Sequence, residues 1–257
     1  MLDKIRKSKH QRDWGLRYLN DPIQLIGAEK SAIETAKRPL RHELINFLLA
    51  ASGSDDKRYL EIGVRNPADN FNKIEASQKH SVDPGIEFEA NPVEFKLTSD
   101  AFFNQLEQGI ILNPSIRFDV IFIDGLHLAE QVARDIKNAL KFIKEDGFIV
   151  LHDCNPPTEF HAREDYAYTL SPARQFWNGT TWKAFYRCRL DKNLSCCVID
   201  SDWGLGIISK RTFYEALKED LNPYLEFQVF EKNRKTSLNL IEFDAFKMHL
   251  QSAAKSK

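Results

Sequence analysis

The stretch FDVIFIDG at residues 118–125 is an almost unbroken apolar run that ends in an acid and a glycine. A second run, GFIVLHD at residues 147–153, has the same form. Such runs are typical of strands that are buried on both faces, as in a parallel sheet. Strand, helix and strand together predict a right-handed crossover. The helix between them shows an apolar stripe at helical spacing, formed by Leu128, Val132, Ile136, Leu140 and Ile143.

Further strands flank this unit on both sides. Before it, the segments at residues 59–64 and 80–85 indicate two strands, and residues 93–97 a weaker third. After it, residues 194–200 and 203–209 are typical of a hairpin. We therefore predict an α/β fold, with a doubly wound, Rossmann-like and mostly parallel sheet of seven strands that ends in an antiparallel hairpin.

The remaining segments differ from this core in composition. The best helix in the polar N-terminal part covers residues 32–51, and the C-terminal part is mainly helical. We expect residues 1–257 to form a single domain. Its predicted parts are an N-terminal helical extension at 1–57, a core at 58–210 with a polar insert at 154–181, and a C-terminal helical segment at 211–257.

Composition excludes several classes of protein. The 257 residues carry 36 Lys and Arg against 37 Asp and Glu, so there is no global basic field for a nucleic-acid partner. No apolar segment is long enough for a membrane span, and the N-terminus has no secretory signal. The four cysteines lack CxxC spacing, which indicates reduced thiols and no structural zinc. These features predict a cytoplasmic protein without a membrane span or a nucleic-acid partner.

Acidic and polar side chains follow the predicted strands. Each acid alone could serve as a helix cap or a turn residue. In a doubly wound sheet, however, ligands bind at the carboxyl ends of the strands, so the set together predicts a site. Its members are Glu61, Gly63, Asp83, Ser99, Asp100, Asp124, His127, His152 and Asp153.

The first two acids indicate the kind of ligand. Gly63 allows a close approach of the backbone, while the Glu61 carboxylate disfavours a phosphate and favours an ammonium or a hydroxyl group. Asp83 follows Glu61 by 22 residues, the usual spacing for an acid that binds ribose hydroxyls. A nucleoside with a cationic tail and no phosphate satisfies both. S-adenosylmethionine is such a molecule.

The order of these segments resembles the successive motifs of class I S-adenosylmethionine-dependent methyltransferases. The resemblance covers about residues 56–210 and includes the terminal hairpin. It is strongest to the branch that holds macrocin-type and catechol-type O-methyltransferases, which a cephalosporin-hydroxylase-like group also shares. The segments that carry it are residues 59–64, 81–85, 118–127, 147–154 and 195–209.

The resemblance implies a role for each cofactor-binding position. Glu61 and Gly63 would line the methionine end of the cofactor, and Asp83 would bind the ribose. Ser99 and Asp100 would lie near the adenine, and Asp124 beside the reacting centre. One departure concerns the loop 65–70, because Arg65 and Pro67 stand where many members have glycines. This loop should be stiffer and more polar than usual.

The resemblance also raises the question of a metal. In these relatives an acid after the fourth strand, here Asp124, and a pair after the fifth, here His152-Asp153, hold Mg²⁺. Mg²⁺ prefers oxygen ligands, whereas imidazole suits Zn, Mn, Fe, Co or Ni better. We predict that the three groups converge, with or without a divalent metal. Without one, His152 or His127 would be the general base. Alternatively, His152 is structural and Asp153 caps a turn.

The leading hypothesis is therefore an S-adenosylmethionine-dependent methyltransferase that O-methylates a small-molecule or sugar hydroxyl, with Asp124, His152 and Asp153 at the reacting centre. The aromatic and hydroxyl-bearing residues 177–183 suit a sugar or a flat hydroxylated acceptor, unless the tryptophans belong to the core. The alternatives are an NAD(P)-dependent oxidoreductase and a non-catalytic binding or scaffold protein, which the altered loop would permit. The sequence leaves open the acceptor, the metal and a homodimer.

Overall fold

One seven-stranded sheet forms the centre of the computed structural model, which describes residues 2–87, 90 and 92–255. The strand order is β2-β1-β3-β4-β6-β5-β7; β1 to β4 are parallel, while β6 runs antiparallel to β4 and β5. This confirms the predicted fold class. The strands are β1 Arg58–Ile62, β2 Gln78–Val82, β3 Phe118–Ile123, β4 Ile143–Leu151, β5 Ser195–Ile199, β6 Leu205–Ser209 and β7 Leu240–Ile241.

The helices pack on both faces of this sheet. Helices α4 to α7 share one hydrophobic core with it, and α3 and α8 share the other. Successive residues of the central strands belong to different cores: in β3, Ile121 lies in one and Phe122 in the other. The helices are α1 Leu2–Leu19, α2 Pro22–Ala36, α3 Arg41–Ala51, α4 Ser99–Glu107, α5 Ala129–Phe142, α6 Thr181–Arg189, α7 Phe227–Leu238 and α8 Phe243–Lys255.

The predicted N-terminal helix over residues 32–51 is wrong in one respect. The structure has two helices there, because α2 ends at Ala36 and α3 begins at Arg41. Pro39 lies between them; it has no backbone N–H and disfavours a helical conformation in the residue before it. The interruption matters because it places Arg41 at the first position of a new helix.

The predicted third strand at residues 93–97 is also different in the structure. Only Phe95 pairs with the sheet, through a single parallel bridge to Val82. Thr98 then caps helix α4 by accepting a hydrogen bond from the Ala101 N–H, so the chain turns into the helix directly. The seventh strand is instead β7, which comes from the predicted C-terminal helical segment and pairs in parallel with β5.

The division of the chain into an N-terminal extension, a core and a C-terminal segment stays a prediction. The predicted division covers residues 1–257; at its two ends, Met1, Ser256 and Lys257 lie outside the described residues. Within the described residues, no helix has both the length and the apolar character that a membrane span requires. The carboxyl ends of β1 to β4 meet at one edge of the sheet, where most of the predicted site residues also lie.

Candidate functional site

A cleft runs along the carboxyl edge of the parallel strands. It consists of two adjoining cavities of about 380 Å³ and 390 Å³, and both are lined by Gly63, Arg65, Asp124 and Trp177. We call the first cavity the charged end; the residues that define it are Arg41, Glu61, Asp124, His127, His152 and Asp153. We call the second the apolar end; the residues that define it are Ile62, Val82, Asp83, Leu97, Ser99 and Leu126.

Asp124 is the central carboxylate of the charged end. Its Oδ1 lies 3.1 Å from His152 Nδ1 and 3.3 Å from His127 Nε2, and its Oδ2 accepts a 2.6 Å hydrogen bond from Arg41 Nη1. Burial alone would raise the pKa of this acid. His152 and Arg41 outweigh burial and hold the pKa of Asp124 well below its usual range, so the carboxylate is ionised.

Asp153 is the second carboxylate of this end. Its Oδ2 lies 2.9 Å from His152 Nδ1 and 3.1 Å from His127 Nδ1, while Oδ1 accepts a 2.6 Å hydrogen bond from Asn178 Nδ2. His127 therefore lies between Asp124 and Asp153. Burial would lower the pKa of His127, but the two carboxylates raise it, and the same pair raises the pKa of His152 well above its usual value.

Arg41 and Asp202 belong to the site although the sequence did not single them out. The backbone N–H and Nε of Arg41 donate to Asp202 Oδ2 at 2.8 and 3.0 Å, and Nη2 donates to Oδ1 at 3.2 Å. His152 Nε2 lies 3.4 Å from the same Oδ1. Hydrogen bonds and charge from His152 and Arg41 overcome burial and lower the pKa of Asp202. The hairpin turn that holds Asp202 was predicted, but no local pattern there indicates a distant partner.

Glu61 closes the inner wall of the charged end. Its Oε2 accepts hydrogen bonds from Tyr59 Oη at 2.6 Å and from Asn70 Nδ2 at 2.9 Å. Burial raises the pKa of Glu61 to about 7, although both hydrogen bonds favour the ionised form. Asn70 Oδ1 is buried and has no hydrogen-bond partner among the described residues. A buried acceptor without a donor, in the wall of a cleft, favours a ligand that donates one.

Gly63 is required by the protein backbone itself. Its φ is +91°, and a Cβ at this position would collide with the backbone of Asp124 and Gly125. The end of β1 therefore packs directly on the turn after β3. This contact brings the turn that carries Asp124 next to the wall that carries Glu61.

Two of the predicted cofactor-binding residues line the apolar end but not the charged end. They are Asp83 and Ser99, and Ser99 Oγ accepts a 3.0 Å hydrogen bond from Gln131 Nε2. Asp100 is not among the residues that line either cavity within the described chain. Its half-exposed side chain instead lies 3.3 Å from Arg134 Nε on the surface. The structure thus brings all the predicted site residues to one cleft except Asp100.

The insert at residues 154–181 supplies the outer wall of the cleft. Trp177 stacks on His127, with ring centroids 5.0 Å apart, and lines both ends. Trp182, by contrast, is buried in the core and stacks on Phe230. Of the two interpretations of these tryptophans, the binding one therefore suits Trp177 and the core one suits Trp182.

The donor set of the charged end does not fit a divalent metal as it stands. One ligand atom each from Asp124, His152 and Asp153 lie within 4.8 Å of one another, so the predicted convergence is present. Both oxygens of each carboxylate, however, already face the cationic or N–H groups of Arg41, Asn178 and the two histidines. A metal would have to displace these partners.

The family of the central segment follows from its sequence. Residues 50–154 match the family model of a methyltransferase domain. This segment therefore resembles a methyltransferase domain. The predicted resemblance to S-adenosylmethionine-dependent methyltransferases, and with it the predicted enzyme class and cofactor, is confirmed at the level of this domain. Among curated proteins, no sequence matches the chain.

Solved structures also resemble this chain. An O-methyltransferase from Bacillus cereus in complex with SAH is 15% identical, with 77% of this chain and 95% of that chain covered and a TM-score of 0.42. Cofactor-bound Rv0187 from MTB is 18% identical, with 78% and 96% covered and a TM-score of 0.42. MycE from the mycinamycin biosynthetic pathway, in complex with Mg, SAH and mycinamycin VI, is 13% identical, with 81% and 59% covered and a TM-score of 0.44.

The cleft fits the cofactor that the resemblance implies. The unpartnered acceptor on Asn70 lies in the same wall as Glu61, where the resemblance expects the methionine end. Phe71 packs on Tyr59 rather than in the apolar end, and the Arg65 side chain is 64% exposed. The altered loop therefore leaves the apolar end open, which disfavours the non-catalytic alternative.

Proposed function

We propose that this methyltransferase O-methylates a hydroxyl of a small molecule or a glycan, with Asp124, His127, His152 and Asp153 at the reacting centre. The observation that carries the proposal is the continuity of the cleft: the predicted cofactor-binding residues and the buried carboxylate–histidine cluster open onto the same space. When bound, S-adenosylmethionine supplies an activated methyl group on a positively charged sulfur.

In this proposal the cofactor's two ends are held by different chemistry. Asp83 accepts hydrogen bonds from ribose hydroxyls in the apolar end, where Ile62, Val82 and Leu97 supply apolar surface for the base. Glu61 and the unpartnered Asn70 Oδ1 accept hydrogen bonds from an ammonium group in the charged end. The carboxylates also favour a positively charged ligand over a phosphate, which disfavours the oxidoreductase alternative.

His127 is the group proposed to take the proton from the acceptor hydroxyl. Its Nδ1 lies 3.1 Å from Asp153 Oδ2 and its ring stacks on Trp177, so its orientation is fixed on both sides. A carboxylate on one ring nitrogen orients a histidine so that the other nitrogen can accept a proton. Nε2, beside Asp124, is therefore the proposed proton acceptor once His127 is in its neutral form, which the carboxylates' effect on its pKa shifts to higher pH. His152 is more deeply buried, and in this proposal its contact with Asp124 holds that carboxylate in position.

The outer wall of the charged end supports the proposed class of methyl acceptor. Trp177 and Tyr166 present aromatic surface there, and Gln175 and Asn66 add amide groups. Aromatic faces with adjacent hydrogen-bonding groups suit a ring that carries hydroxyls, such as a sugar or a phenol. The cavity of about 380 Å³ suits a small molecule or one terminal sugar of a glycan.

Calorimetry and a labelled-methyl assay test this proposal together. We expect S-adenosylmethionine and its demethylated product to bind, and label to pass to hydroxylated compounds in a panel of phenols and sugars. H127A should retain cofactor binding and lose transfer by about 10²–10⁴-fold, the usual share of a general base. Absence of cofactor binding, or enhanced nicotinamide fluorescence with NAD(P)H instead, would contradict the proposal.

A homodimer is a further part of the proposal, and the exposed apolar residues of helix α2 support it. The side chains of Ile23, Ile26 and Ile33 are about half exposed, whereas the polar Ser31 and Glu34 are buried. A helix with its apolar side toward solvent indicates a missing partner. Residues 1–20 carry six Lys and Arg against two Asp, while residues 21–257 carry 30 basic and 35 acidic residues. This charge asymmetry favours a second copy as the partner.

Light scattering after size-exclusion chromatography tests the dimer. The wild type should have twice the mass of one chain, and I26E/I33E should be monomeric. K30E, on the same helix, is the control that changes charge without removing apolar surface. A monomeric wild type at all concentrations would contradict this part of the proposal and leave the catalytic part intact.

A further inference from the structure

We infer that the guanidinium of Arg41 is the resident cation of the charged end, in the place where metal-dependent relatives would hold a divalent ion, and that it positions Asp124. This inference deepens the proposed function, because it assigns the neutralisation of the reacting centre to a side chain. It concerns a residue outside the matched segment 50–154.

Contacts with Asp202 fix the position of the Arg41 side chain that also binds Asp124. It is the first residue of α3, and its backbone N–H, Nε and Nη2 all donate to the carboxylate of Asp202. Asp202 itself lies in the tight turn between β5 and β6, where its φ is +43° and its side chain is buried. The start of α3 and the turn between β5 and β6 therefore fix the guanidinium together, which leaves Nη1 directed at Asp124 Oδ2 at 2.6 Å.

The same geometry disfavours a metal. An ion held by Asp124, His152 and Asp153 would need an oxygen of Asp124, and Oδ2 is occupied by Arg41 while Oδ1 faces both histidines. A divalent cation there would lie beside a guanidinium in a buried site, where like charges repel strongly. The imidazole of His152 would also have to turn from its present partners, Asp124 and Asp153 at Nδ1 and Asp202 at Nε2.

Arginine suits this role for chemical reasons. Its guanidinium stays charged throughout the working pH range, and its planar set of donors can hold two carboxylates at once. Asp202 and Asp124 are such a pair of carboxylates, on different nitrogens of one side chain. Arg41 is thus a positioning residue, because it acts through Asp124 rather than on the methyl acceptor.

Electron paramagnetic resonance of Mn²⁺ tests the inference on the full-length protein without any methyl acceptor. The wild type should leave the signal of free Mn²⁺ unchanged up to millimolar metal. R41Q should bind about one equivalent, at least about tenfold more tightly than the wild type, because the repelling charge is gone. D124N introduced into R41Q should abolish this binding. R187Q, which removes an arginine from an Asp220 pair outside the cleft, is the matched control and should behave like the wild type.

Two results would overturn the inference. In the first, the wild type binds one equivalent of Mn²⁺ and the D124N substitution abolishes this binding. In the second, R41Q is folded but binds no more Mn²⁺ than the wild type. If circular dichroism shows that R41Q is unfolded, D202N replaces it; loss of the anchor should raise Mn²⁺ binding, and unchanged binding would again overturn the inference. Calorimetry with the demethylated cofactor on the same preparations separates this outcome from failure of the proposed function.

Discussion

The two ends of the cleft are built in different ways. At the apolar end, Asp83 and Ser99 lie directly after β2 and at the start of α4, so the order of strands places them. At the charged end, the decisive contacts join distant segments: Arg41 to Asp124 across 83 positions, His152 to Asp202 across 50, and Asn178 to Asp153 across 25. The order of strands thus places the side chains of the apolar end, whereas long-range pairs place those of the charged end.

This difference has an energetic consequence. At the apolar end each polar group can exchange its protein partner for water or ligand with a modest change in free energy. At the charged end three carboxylates, two histidines and an arginine share one buried network. Removal of one member leaves other charged groups without their partners in a largely buried site. Substitutions at the two ends should therefore differ in kind as well as in size.

Asp124→Asn should have the largest effect on activity. The amide keeps the shape but loses the charge that faces Arg41 and both histidines, so the proposed base loses its partner. We expect methyl transfer to fall by about 10²–10⁴-fold, while the affinity for the demethylated cofactor changes by less than about fivefold. Turnover and calorimetry measure the two effects separately.

The control for this variant is Asp244→Asn, on the exposed side of α8, which should change neither quantity. An equal loss in transfer and in cofactor affinity would show instead that Asp124 serves binding, and the contrast between the two ends would then disappear.

Glu61 should give the next largest effect, as a dependence of stability on pH. Its pKa is about 7 in the folded protein, above the usual value of about 4.5, so the folded state keeps a proton that the unfolded state releases. Glu61 therefore makes its full contribution to stability below pH about 4.5. The free energy of unfolding then falls by about 3 kcal/mol as the pH rises through about 7. Urea unfolding without cofactor, from pH about 5 to about 8, measures the fall.

Glu61→Gln isolates this contribution, because Asp135, whose pKa burial raises to about 6, adds a smaller dependence of the same sign. The free energy of unfolding of the variant should fall less with pH than that of the wild type, by about 3 kcal/mol over the same range. Parallel curves for the two proteins would show that Glu61 is ionised at neutral pH in the absence of ligand.

The sequence predicts the backbone of this molecule better than the contacts of the charged end. Runs such as residues 118–125 specify buried strands, and the acids after them specify one edge of the sheet, because both depend on local order. The strand predicted at 93–97 is reduced to one bridge, since Thr98 starts a helix that periodicity alone does not reveal. Arg41 was missed because its partner Asp202 is 161 positions away. Such pairs leave no local pattern.

Asp83 and Asp100 provide the finest comparison, because the resemblance assigns both to the cofactor and the structure separates them. Asp83→Asn should weaken binding of the demethylated cofactor by about tenfold, since a charged hydrogen bond to a hydroxyl becomes a neutral one in the apolar end. Asp100→Asn should change it by less than about twofold, because this side chain lies against Arg134 at the surface. Calorimetry at one fixed salt concentration measures both. Equal losses for the two variants would mean that helix α4 turns inward when the cofactor binds, and that the apolar end is shaped by its ligand rather than by the order of strands.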